Sequence, residues 1–119
     1  MANEITITTS VKCANGSLSE TWQPGTLQVD QATARVDGRV QAIGTSAETL
    51  DIGSDLATAG YAFVQNLDAT NFVELGPTAV AMLLKLKPGE HQIVRFTTTT
   101  IHAIADTAPV DLLFRVLAD

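Results

Sequence analysis

Along most of this chain apolar and polar residues alternate with a period of two, and turn signals interrupt them roughly every eight to twelve residues. This pattern constrains the fold more than any other feature of the sequence. Successive side chains of a strand point to opposite faces, so period-two alternation gives each strand one face to bury and one to leave wet. Nowhere do apolar residues recur at helical spacing over ten positions, so no stable helix is expected. The sequence predicts about nine or ten short strands, no internal repeat and no linker. Strands so spaced and punctuated fold into an antiparallel sandwich or barrel.

The strand signals run as follows. Glu4 to Lys12 alternates over its first half, with Ile5 and Ile7 on one side and Thr6 and Thr8 on the other. Asn15-Gly16 is the strongest hairpin signal, read as a type I′ turn, with Ser17 to Trp22 returning. Pro24-Gly25 breaks the chain before Thr26 to Val29. Gln31 to Arg35 is long enough for a single helical turn, too short to stand alone. Arg39 to Ile43, Glu48 to Ile52, Tyr61 to Val64, Phe72 to Leu75, Ala79 to Leu86, His91 to Phe96, Ile101 to Ala105 and Val110 to Leu117 complete the strand segments. The cluster Asn66 to Asn71 and the segment Lys87 to Glu90 are turns. Leu84 and Ile104 are expected in the core.

Composition removes several function classes. The 119 residues suit one domain, 1–119, and the formal net charge of −6 with seven Lys+Arg disfavours nucleic acid and anionic membranes as partners. A single cysteine excludes an intramolecular disulfide and a cysteine-based zinc site. The longest apolar run, Ala79 to Leu84, falls far short of the roughly 20 residues a membrane span needs. Met1 to Thr9 shows neither a basic nor an apolar signal region, so synthesis in a cytoplasm is expected. Asn15-Gly16-Ser17 has the form of a glycosylation sequon and is read as a turn.

Candidate chemical residues are few. His91 and His102 lie on different strands, without the further ligands that a metal ion requires, and read as solvent-facing strand histidines. Cys13 has no neighbouring base in sequence and reads as a plain buried thiol. Asp51, Asp55 and Asp68 occupy loops but lack the spacing of a calcium loop. Glu74 and Asp111 are the strand carboxylates that would have to converge in a glycoside hydrolase. No phosphate-binding loop occurs. Accordingly no catalytic residue, no metal and no cofactor is expected, and the chain is not expected to be an enzyme. Three residues are candidates for contact with a partner. Trp22 is either an interface anchor or a core anchor, and the Ile5/Ile7 strand is either a core strand or an arm that pairs with a neighbour.

The second half of the chain carries a resemblance. The stretch Gly60 to Gly76, then Leu84 to Glu90, then Ile101 to Leu112 resembles segments of small structural proteins of tailed-bacteriophage virions, over about half the chain. The resemblance implies a capsid decoration or cement protein, a small β-sandwich or jelly roll that oligomerises over capsid contacts. Its partners would be further copies of itself and the major capsid protein or other virion proteins, and its location the virion. A tail or head–tail connector component is the alternative within that class, and a carbohydrate-binding β-sandwich module is the alternative outside it. The fold class expected is all-β, an antiparallel β-sandwich of jelly-roll type.

Overall fold

The computed structural model describes residues 3–54 and 56–119. Regular structure among them is entirely β, in twelve strands. The chain divides into two compact units, Met1–Ala32 and Thr33–Asp119.

The first unit is a two-stranded ribbon. Strand β1 (Ile5–Thr8) pairs antiparallel with β4 (Thr26–Val29), and β2 (Val11–Asn15) with β3 (Leu18–Trp22). The hairpin closes on Gly16-Ser17, with Gly16 at φ 58° and Ser17 outside the positive-φ region. That is glycine at the first corner, as in a type II′ turn, rather than the type I′ turn centred on Asn15-Gly16 that the sequence suggested. Between the two ladders Thr9 and Ser10 lie opposite Gln23, Pro24 and Gly25. The extra residue is a bulge, and Gly25 takes it at φ 87°.

The second unit holds eight strands: β5 (Val36–Ile43), β6 (Glu48–Thr49), β7 (Ala59–Asn66), β8 (Val73–Gly76), β9 (Leu84–Leu86), β10 (His91–Arg95), β11 (His102–Ala105) and β12 (Val110–Ala118). They make two antiparallel four-stranded sheets, ordered β10-β7-β12-β5 and β6-β11-β8-β9. Pairing is nested: β5 with β12, β6 with β11, β7 with β10 and β8 with β9. The buried side chains of both sheets join one apolar core. Strand β12 illustrates how alternation builds it. Val110, Leu112, Phe114 and Val116 are buried, while Asp111 and Arg115 between them are exposed. With few aromatics available, valine, leucine and alanine fill most of the remaining space.

Two polar devices close gaps that strand pairing leaves. On β5, Asp37, Arg39 and Gln41 fall on the core-side row but receive no strand partner on that edge. Gln41 instead donates to Glu48 and to the Thr49 carbonyl and accepts from the Asp51 N–H, at 2.8–3.1 Å. Arg39 pairs with Asp51 at 2.8 Å, and Asp37 accepts the N–H groups of Gly38 and Gly53. Alternate side chains of β5 thereby hold the segment 48–53 antiparallel to the strand. The second device is Asn66, fully buried at the end of β7. Its amide donates to the Asn71 and Leu86 carbonyls at 2.8 and 3.0 Å and its oxygen accepts from the Asp68 N–H at 2.8 Å.

Some strand expectations shift. The stretch Ala79 to Leu86 is a turn followed by a short strand, since Ala79 and Val80 form the tip and β9 begins at Leu84. Gln31 to Arg35 is not helical. Ile104 is half-buried on the face of β11 away from the core, because Ala103 and Ala105 take the inward positions, whereas Leu84 packs partly buried against the core.

Candidate interaction surfaces

The ribbon is amphipathic along its whole length, and the bulge makes it so. Cross-strand partners share a face. Ile5 with Val29 and Ile7 with Leu27 lie on one face of the β1/β4 ladder. Val11 with Trp22 and Cys13 with Glu20 lie on one face of the β2/β3 ladder. Ile7 and Val11 are four residues apart and so share a side of an extended strand. Trp22 and Leu27 are five apart and would oppose each other without the extra residue at Gln23–Gly25. The other face is polar: the Thr8 and Thr26 hydroxyls meet at 3.4 Å, and Gln23 donates to Ser10 at 3.3 Å. All three sequence candidates for partner contact, Ile5, Ile7 and Trp22, therefore lie on the apolar face. Ile5 is buried and Ile7 half-buried, but Val11, Leu18, Trp22 and Leu27 are 48–55% exposed. A two-stranded ribbon on its own is marginal in water, so an exposed apolar face along it is a surface awaiting cover.

A second surface is the outer face of β10-β7-β12-β5. Ladder partners place Phe63, Arg115 and Gly38 in one row, with Leu113 and Val40 in the next and Leu117 and Val36 in another. Val36 and Val40 are 49% and 53% exposed. At Gly38 an added Cβ would run into the Phe114 carbonyl and the Arg115 Cα, so only glycine fits beside Arg115. Arg39 is paired with Asp51 and Arg95 with Asp119, each at 2.8 Å. Arg95 also lies 4.4 Å from the Tyr61 ring centroid, and the Asp119 bond holds its pKa above the ordinary arginine value. Arg115 has no ion pair or hydrogen-bonded side-chain partner among the described residues, although it stands in the middle of an apolar face.

The third surface is the tip between β8 and β9. Thr78 ties the turn by accepting the Ala81 N–H on its hydroxyl at 3.1 Å, and the Leu83 N–H bonds to the Leu75 carbonyl at 2.8 Å. On this held backbone Val80 is 95% exposed and Leu83 82% exposed. Next to it opens an apolar cavity of about 390 Å³, lined by Leu75, Leu83, Leu84, Val94, Phe96 and Ile101 among others.

The residues considered for chemistry do not assemble. Glu74 and Asp111 lie on different sheets, each facing away from the shared core. His91 is exposed and stacks on Phe63 at 5.6 Å, and His102 sits half-buried on β11 with its Nδ1 unpartnered. Cys13 is half-buried on the ribbon. Asp51 pairs with Arg39, and Asp55 lies outside the described residues. Asp68 caps its own turn, accepting from the Asn71 N–H at 2.6 Å and the Thr70 N–H at 3.0 Å, which holds its carboxyl below the usual aspartate pKa. No group of three or more potential metal ligands occurs among the described residues. No described helix is long and apolar enough to cross a membrane.

Sequence reading missed Val80, Leu83 and Arg115 as surface features. The first two belong to an apolar run that reads as strand interior, and nothing local marks them as a turn tip. Comparison with known proteins gives no match to a family model, a curated protein or a solved structure.

Proposed function

We propose that this chain is a structural component of a bacteriophage virion, a capsid decoration or cement protein that acts as a homo-oligomer bound to the major capsid protein. The observation that carries the reading is the tip between β8 and β9, where a hydrogen-bonded turn holds a valine and a leucine out in solvent. Such display costs solubility and is offset only where a partner covers it. The resemblance of Gly60 to Gly76 and the segments after it to virion proteins supplies the class of partner. The fold reading that accompanies this function is a jelly-roll sandwich. Eight strands that pair first with last, second with seventh, third with sixth and fourth with fifth, split between two sheets over one core, support it. The acidic net charge of −6 favours an outer position over one packed against the genome.

The test is co-sedimentation of the purified protein with empty phage heads that lack it. Saturable binding is expected, and Val80→Asp with Leu83→Asp is expected to weaken it at least about 10-fold while leaving the thermal melt unchanged, since both side chains are exposed. Absence of wild-type binding to heads would overturn the decoration reading. Binding to tails instead would move the chain to the tail or connector.

A further inference from the structure

The ribbon and the outer sheet face carry matching patterns of opposite charge. Along β3, on the apolar face, the order is Leu18, Glu20, Trp22, at a spacing of two residues. Along the outer face of β12 the order is Leu113, Arg115, Leu117, at the same spacing. Each row is a charge between two apolar side chains. Glu20 is the one charge that the β2/β3 ladder puts on its apolar face, and Arg115 is the charge at the centre of the sheet face. Neither has an ion pair among the described residues. Beside the first row stand Val11 and Cys13, and beside the second stand Val36 and Val40.

We propose that the apolar face of the ribbon of one copy packs on the outer face of the β10-β7-β12-β5 sheet of a second copy, with Glu20 against Arg115. Leu18 and Trp22 then lie over Leu113 and Leu117, and the valines of β5 meet Val11 and Cys13. Strand rows stacked face to face interdigitate side chains across about 10 Å, which is the spacing this contact needs. The ion pair is enclosed by apolar residues, so it sets register, and each charge alone would oppose a mismatched row. The occupant is a second copy of this chain because both complementary rows belong to it. The two surfaces differ, so the contact is heterologous, and its repetition gives a ring where the rotation between copies closes. This contact gives the self-association of the virion reading a surface of its own, on residues that the particle-binding tip does not use.

The experiment measures native mass by light scattering after size exclusion, over about 1–100 µM of the full chain. The wild type is expected to be a closed oligomer of two or more copies. Glu20→Arg and Arg115→Glu are each expected to weaken association at least about 10-fold, as charge reversal at a desolvated pair does. The double variant Glu20→Arg with Arg115→Glu is expected to recover most of it, which neither misfolding nor general loss of charge produces. A wild type that stays monomeric overturns the contact, as do single reversals that leave the mass unchanged or a double variant that fails to reassociate. A chain that binds heads but remains monomeric overturns this contact alone and leaves the decoration reading intact.

Discussion

Replacing Phe114 by alanine is expected to cost about 3–5 kcal/mol of unfolding free energy. Phe114 is completely buried near the middle of β12, flanked on the same face by the equally buried Leu112 and Val116, with Val64 of β7 opposite. It is the largest fully buried side chain among the described residues, so truncation leaves a void that neighbouring strands, held by ladders on both sides, cannot collapse to fill. A domain of this size has roughly 5–15 kcal/mol of stability, so the variant should melt far below the wild type or fail to fold at moderate temperature. Urea titration reads the effect as a lowered midpoint with an unchanged slope. A loss below about 1 kcal/mol would place the core elsewhere than between the two four-stranded sheets.

Asn66→Ala is expected to cost a similar amount, about 3–5 kcal/mol, through polar rather than apolar loss. Three side-chain hydrogen bonds disappear, and the Leu86 carbonyl loses its partner in a buried setting. The neighbouring Leu67, 46% exposed, is the control, and Leu67→Ala should change stability by less than about 0.5 kcal/mol. Equal effects at the two positions would show that the turn is not organised by the Asn66 amide. Acid reads the same turn through Asp68. The Asn71 and Thr70 N–H groups lower its pKa in the folded state, so its contribution is complete above the ordinary carboxylate range and is lost as pH falls through the lowered folded value. Stability measured below about pH 4 should therefore fall less steeply in Asp68→Asn than in the wild type.

These two positions also show what can be read from sequence and what cannot. The all-β class follows from alternation, and β12 follows almost residue for residue, because a strand buried on one face leaves its period in the chain. Asn66 to Asn71 reads as a turn, since Asn and Asp bond nearby backbone whatever the tertiary context. The reach of Asn66 across to Leu86 does not read, because it depends on β9 returning alongside. Likewise Ile104 and Ala103 are equally plausible core residues on β11 until the register with β8 assigns the inward face. At the surfaces, Ile5 and Ile7 stand out by their alternation with threonine, and Trp22 as the one tryptophan of the chain. Their common face depends on one bulge residue at Gln23–Gly25, which shifts parity without any change in composition. Arg115 is invisible for the opposite reason: in sequence it is an ordinary outward residue of an alternating strand, and only the rows beside it make it a charge set in an apolar face.

On the proposed reading this chain is completed by assembly, its ribbon covered by a second copy and its β8–β9 tip covered by the particle. Hydrogen exchange of the purified protein, alone and bound to empty heads, tests it most directly. The amides of β7 and β12 should exchange slowest and equally in both states, since they sit in the middle of the sheet over the core. Those of residues 78–83 should exchange faster in the free protein and slow at least about 10-fold on the particle, whereas those of β2 and β3, already covered by a second copy, should change little. Unchanged exchange in the tip after binding would contradict the account.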